Sequence, residues 1–193
     1  MPPNKINNIT KNYYSDEWYT SSETVELVVR LLEPSKTICC PYDSEKSLFV
    51  KKSKEIGTCV YGMEDWLDSN YQYDFLMTNP PFSIKDYVIE KVLKDGKPSA
   101  LILPLDSIGG VKRHSLFREY GFPAVYIPSK RISYYDENWQ KKNGSNFHSI
   151  IMLLNTDQTG ILWEQGEDNA SARGTDNNER DMDAEFARRN KKR

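Results

Sequence analysis

Apolar and polar positions change their period repeatedly along the chain. From Ser21 to Leu32 (SSETVELVVRLL), Val25, Val28, Val29 and Leu32 fall on one face of a helix. Ser21 or Ser22 can cap it, Glu23 and Glu26 favour its positive N-terminal end, and Pro34 stops it at Glu33. Thr37-Ile38-Cys39-Cys40 reads as a buriable, partly β-branched strand. A second helix is expected over Glu45 to Glu55, with Leu48, Phe49 and Lys52 at helical spacing and Gly57 beyond its end. Thr58 to Tyr61 and Asp74 to Thr78 are the next strands, and the latter breaks on Asn79-Pro80-Pro81-Phe82. A helix over Lys85 to Leu93, a strand over Ser99 to Leu103, a short helix over His114 to Tyr120 and strands over Ala124 to Ile127 and Phe147 to Leu154 complete the pattern.

Strands thus alternate with helices, and several strands are apolar throughout. Both features predict an α/β fold whose mostly parallel sheet is flanked by helices on both faces. No helix separates the last two strands, so an antiparallel last strand is expected, reached by the polar and aromatic segment Ser129 to Ser145. Ligands of such sheets sit at the carboxyl ends of the strands. The loops to watch therefore begin at Pro41, Tyr61, Asn79, Leu105 and Pro128.

The two ends read differently. Residues 1–15 are polar and rich in Asn, a flexible arm, and residues 164–193 carry only Met182 and Phe186 as large apolar side chains. The second is expected to be a disordered charged tail, leaving one domain over 16–163. Lys and Arg number 26 against 28 Asp and Glu, a net charge of −2, so any nucleic-acid contact has to come from a local patch. Three cysteines without zinc-like spacing point to a reduced, cytoplasmic setting with no metal. No run is long and apolar enough to suggest a membrane segment.

The chemistry concentrates in Thr78-Asn79-Pro80-Pro81-Phe82-Ser83. Two consecutive prolines lock φ and remove two amide donors, holding Asn79 rigid beside free carbonyls. The Asn79 side-chain oxygen and the Pro80 carbonyl can both accept from an exocyclic NH2 while Phe82 stacks on the ring. Two accepted hydrogen bonds draw the nitrogen toward tetrahedral geometry and free its lone pair to attack.

This motif, with EWYT at Glu17 to Thr20, ICCPYDSEKSLFVK at Ile38 to Lys51 and GKPSALILPL at Gly96 to Leu105, resembles small phage-type DNA adenine-N6 methyltransferase-like proteins. The resemblance implies a Rossmann-like class I methyltransferase with a seven-stranded sheet and S-adenosylmethionine over the first strand ends. It implies a catalytic motif of Asn79, Pro80, Pro81 and Phe82, with Trp18-Tyr19-Thr20 closing over the methionine end of the cofactor. It also implies a cytoplasmic setting, that of the host for a phage-encoded chain. After the first strand the family carries an acid and glycines, whereas this chain has Pro41-Tyr42-Asp43-Ser44-Glu45-Lys46. Without glycine the loop must take another path. Asp43 and Ser44 either meet the cofactor or cap the next helix, and Tyr42 either floors the pocket or packs in the core. Glu64 and Asp65 are candidates for the ribose hydroxyls, with Trp66 in the core.

A base in a duplex must be extruded to reach such a pocket. Gly109 to His114, with Lys112, Arg113 and His114, and Lys130 to Tyr135, with Lys130, Arg131 and Tyr134, offer phosphate donors and stacking rings. Tyr134 is expected to face the flipped base opposite Phe82. Two other readings stay open: a catalytically degenerate protein that binds the cofactor or a protein partner, and transfer to another planar amine on RNA or protein.

Overall fold

The computed structural model describes residues 19–136, 138–141 and 148–163. The expectations for the 1–15 arm, for Trp18 and for the 164–193 tail lie outside the described residues.

A short strand β1 (Tyr19–Thr20) leads into helix α1 (Ser22–Leu32). Ser21 caps that helix, its hydroxyl accepting from the Thr24 amide at 3.4 Å, and Val25, Val28 and Leu32 are buried against the sheet. After β2 (Thr37–Cys40) comes α2 (Leu48–Ile56), which starts three residues later than the spacing predicts. The intervening residues form a turn: Asp43 N donates to Cys40 O at 3.2 Å and Ser47 N to Ser44 O at 2.9 Å. Ser47 is the helix cap, accepting from Phe49 N at 3.2 Å, so neither Asp43 nor Ser44 caps.

Beyond these lie β3 (Thr58–Tyr61), β4 (Phe75–Thr78), α3 (Lys85–Asp95), β5 (Ser99–Pro104), α4 (Val111–Tyr120), β6 (Ala124–Ile127), β7 (Tyr134–Tyr135), β8 (Ser149–Leu154) and β9 (Gly160–Trp163). Seven of the strands form one sheet in the order β3-β2-β4-β5-β8-β6-β9. β2 pairs in parallel with β3 and β4, β4 with β5, and β6 with β9, while β8 runs antiparallel to both β5 and β6. The antiparallel strand expected near the end is therefore present, but it is inserted inside the sheet and followed by β9. β9 escaped the sequence reading because it is four residues long and mostly exposed.

β5 and β8 are buried at every position, which explains their unbroken apolar runs. One face is covered by α3 and α4 over Leu76, Leu101, Leu103, Ile150 and Met152. The other is covered by α1 and α2 over Ile38, Met77, Ile102 and Ile151. Truncating a side chain such as Ile102 to alanine would cost about 2–5 kcal/mol.

β2, β3, β4, β5 and β6 all point the same way, so their carboxyl ends share one edge of the sheet. The turns that begin at Pro41, Gly62, Asn79, Leu105 and Pro128 lie along it. β8 starts there too, since Ser149 is paired with Pro104. A second ribbon stands at the same edge, where β1 pairs with β7 in antiparallel register, Tyr19 opposite Tyr135 and Thr20 opposite Tyr134.

Candidate functional site

The Asn-Pro-Pro-Phe turn leaves β4 in the middle of this edge. Asn79 and Pro81 are half-buried and Pro80 is buried. The Asn79 side-chain oxygen is buried with no hydrogen-bond partner. The Pro81 carbonyl accepts from Ile84 N at 3.1 Å, and among the described residues no backbone amide donates to the Pro80 carbonyl. An amide oxygen has two lone pairs, and burying it unpaired is costly unless a ligand completes it. Phe82 packs one part of its ring on the core cluster that contains Ile84 and Val88 and is otherwise half-exposed. Two acceptors and an aromatic ring are thus held on one rigid turn.

The turn after β2 stands directly beside it. The Asp43 carboxylate accepts from Thr78 Oγ1 through one oxygen and from Ser47 Oγ through the other, each at 2.7 Å. Thr78 is the residue before Asn79, so Asp43 fastens the first loop to the motif. Pro41 is buried, and its carbonyl accepts from Met63 N at 2.9 Å, which draws the turn after β3 against the same place. Tyr42 is half-buried and meets Trp66 edge-on, with ring centroids 5.9 Å apart. Trp66 itself is fully buried, as expected. Ser44 lies 3.4 Å from the Tyr19 hydroxyl.

The turn that faces the first loop carries a glycine in the left-handed region. Gly62 has φ +68°, and a Cβ there would sit 3.8 Å from the Asp43 carbonyl oxygen, so conformation and not space demands glycine. It follows the strand Thr58 to Tyr61 directly in the sequence, the signal by which it was findable. Of the two acids that come next, Asp65 is turned into its own loop. Ser69 Oγ and the Tyr71 hydroxyl each donate to it at 2.7 Å, and these bonds, Ser69 first, hold its carboxyl below the usual carboxylate range. Glu64 is exposed.

The ribbon covers the edge from Ser44 across to β8. Tyr19 is buried and stacks on Trp139, 5.4 Å between centroids, with Lys51 Nζ 5.6 Å from the indole centroid. Trp139 adopts φ 58°, an uncommon conformation for a bulky residue, in a turn where Asp136 accepts from the Asn138 and Gln140 amides. Thr20 is buried with its hydroxyl unpartnered.

Tyr134 corrects an expectation. It is 3% exposed, its hydroxyl lies 2.8 Å from Ser149 Oγ, and burial pushes its pKa up to about 12. Its ring belongs to the core on the α1 and α2 face and presents no side to a base. Lys130 and Arg131 are exposed at the carboxyl end of β6.

The Gly109 to His114 segment also differs from the sequence reading. α4 begins at Val111, so Lys112, Arg113 and His114 occupy its first turn. Arg113 is drawn inward: Nε donates to Gly109 O at 2.5 Å, Nη2 to Asp106 O at 3.2 Å, and Nη1 pairs with Asp86. A guanidinium so engaged braces two loops and is not a free phosphate donor. Lys112 pairs with Glu90 at 2.8 Å and remains half-exposed, and Lys112 and Lys94 together hold the Glu90 carboxyl low. His114 is exposed and meets Phe122 edge-on.

Among the described residues no helix is long and apolar enough to cross a membrane, and no three His, Cys, Asp or Glu side chains are grouped to hold a metal ion. The three cysteines are free thiols. Comparison with protein-family models and with curated proteins gives no match.

Proposed function

We propose that the protein is an S-adenosylmethionine-dependent methyltransferase acting on the exocyclic N6 amine of adenine in DNA. The observation that carries this reading is the buried, unpartnered Asn79 oxygen at the carboxyl end of β4, beside a Pro80 carbonyl with no backbone donor. An NH2 group is the ligand with two donors to satisfy both. The adenine amine is planar because its lone pair is delocalised into the ring. Hydrogen bonds to Asn79 and Pro80, placed out of that plane, oppose the delocalisation and leave the lone pair free on nitrogen. Phe82 holds the ring by stacking.

The residues along the neighbouring strand ends fit the cofactor. Glu64 supplies an open carboxylate for ribose hydroxyls, Ser44 and Thr20 supply hydroxyls, and Gly62 supplies the left-handed turn that faces the first loop. Bound there, S-adenosylmethionine supplies an electrophilic methyl group on a sulfonium. Asp43 acts behind this surface, tying the cofactor turn to the motif through Thr78. The antiparallel β8, inserted between the parallel strands β5 and β6, suits a class I methyltransferase. Lys112, Lys130 and Arg131 lie at the same edge and suit DNA phosphates.

Binding without transfer is the second reading. It is favoured by the engagement of both Asp43 oxygens inside the protein, which commits that carboxylate to Ser47 and Thr78.

Calorimetry with S-adenosylhomocysteine and transfer of tritiated methyl to DNA test both. The proposal expects cofactor binding, label on adenine N6, and loss of transfer in Asn79→Ala with binding retained. Binding with no label on any acceptor supports the second reading, and label on RNA or protein overturns DNA as the substrate.

A further inference from the structure

We infer that Ser107 is a further substrate contact, its hydroxyl donating to a ring nitrogen that flanks the exocyclic amine, so that the site selects an amine borne on a nitrogen heterocycle. This inference rests on the reading of the Asn79 turn given above.

Ser107 is 0% exposed, and its hydroxyl has no hydrogen-bond partner. It lies in the one-turn 3-10 segment Leu105–Ile108 at the carboxyl end of β5. β5 is the immediate neighbour of β4, with Thr78 opposite Leu101, so the turns carrying Asn79 and Ser107 leave adjacent strands at one edge. Thr20, also buried and unpartnered at this edge, belongs to the β1–β7 ribbon and not to a turn leaving a strand beside β4. Thr156 and Gln158 follow β8, which runs the other way, and therefore sit at the opposite edge, while Trp66 lies within the core layer.

A second observation joins the two turns. The Arg113 side chain, 14% exposed, holds Asp106 O and Gly109 O with two of its nitrogens, so it clasps the segment containing Ser107 from both ends. Its third arm pairs with Asp86, on the first turn of α3 directly after the Phe82–Ile84 turn. The arginine is brought close by Gly110, where φ is +105° and a Cβ would come within 3.0 Å of the guanidinium. One cation therefore sets the position of Ser107 relative to the motif, a precision that a solvent loop has no use for.

The chemistry is complementary. Asn79 Oδ1 and Pro80 O only accept, and the amine's two hydrogens fill them. A ring nitrogen beside that amine only accepts, and needs a donor. A hydroxyl donates while staying neutral, so it recognises the heterocycle without protonating it. Sites built to pair a polar ligand atom reject analogues that lack it, because the protein group is then left buried and unpaired.

The test uses the full chain with random-sequence single-stranded oligonucleotides that contain one adenine, 1-deazaadenine or 7-deazaadenine. The wild type is expected to prefer adenine over one of the two analogues by about tenfold or more in kcat/KM. Ser107→Ala should lose about tenfold on adenine, lose that preference, and keep both S-adenosylhomocysteine affinity and the thermal midpoint, since the hydroxyl has no internal bond to lose. Equal use of all three bases by the wild type overturns the inference, as does an adenine kcat/KM in Ser107→Ala that is unchanged. A lowered thermal midpoint in Ser107→Ala also overturns it, by showing an internal role. A wild type that methylates all three bases equally leaves the methyltransferase reading standing, whereas one that methylates none of the probes overturns both.

Discussion

The carboxylate of Asp43 accepts a 2.7 Å hydrogen bond from the hydroxyl of Thr78, joining positions 35 residues apart at the ends of two neighbouring strands. Thr78 is buried and Asp43 half-buried, so the bond is shielded from competing water. Hydrogen bonds to charged groups contribute about 1.5–3 kcal/mol. Thr78→Val keeps the shape and removes the donor, and should lower stability by that amount in urea denaturation. A variant as stable as the parent would show that the bond contributes nothing to holding the two turns together.

Asn79→Ala should behave in the opposite sense. The Asn79 oxygen has no partner to lose, so its removal should leave stability within about 1 kcal/mol of the parent or raise it. Thermal unfolding with and without S-adenosylhomocysteine checks this. A loss of several kcal/mol in the free protein would mean that the side chain is a structural tie and not a group held ready for a ligand.

Tyr134 predicts an alkaline limit. Burial raises its pKa from the ordinary 10.0 to about 12, so the folded protein keeps a proton that the unfolded chain releases. The tyrosine's contribution is complete below pH 10 and is lost as pH rises toward 12, a change of about 2–3 kcal/mol over that window. Urea midpoints between pH 9 and 12 should therefore fall less steeply for Tyr134→Phe than for the parent. Parallel slopes would remove Tyr134 as the cause.

Lys112 and Arg113 are neighbours with separable roles. Arg113→Ala should destabilise by about 1–3 kcal/mol, with the Asp86 arm discounted because that carboxylate is 42% exposed. Lys112→Ala breaks only an exposed pair with Glu90 and should change stability by less than about 1 kcal/mol. On the DNA reading, the same variant should flatten the slope of log affinity against log salt by about 0.9, the share of one phosphate contact. An unchanged slope would take α4 out of the DNA surface.

Much of the frame was legible in the sequence because burial on both faces leaves a direct mark. Ser99 to Leu103 and Phe147 to Leu154 read as apolar runs, and the strands found there, Ser99–Pro104 and Ser149–Leu154, are buried throughout. The Asn79 turn was legible because two prolines restrict it whatever surrounds it. The roles of Tyr134 and Arg113 were not. An interleaved basic and aromatic segment has the same composition whether its rings face a base or a core, and only the pairing of β7 with β1 turns Tyr134 inward. A guanidinium beside glycines suggests phosphate, yet here the glycines bring it against carbonyls of its own chain. The four-residue β9 carries too short a pattern for its period to be read.

The reversed direction of β8 has a consequence for how such a molecule changes over time. Because β6 ends and β8 begins at one rim, the stretch between them leaves and rejoins the sheet at the edge that carries the Asn79 turn, and its roots are pinned by the 3.0 Å contact of His148 with the Pro128 carbonyl. Ile132 and Tyr134 anchor its first part in the interior, but from Asp136 onward its described residues carry no core side chain. That portion is a natural graft point. On the methyltransferase reading, lengthening or exchanging it should change which target is reached while the core packed on both faces of the sheet stays the same.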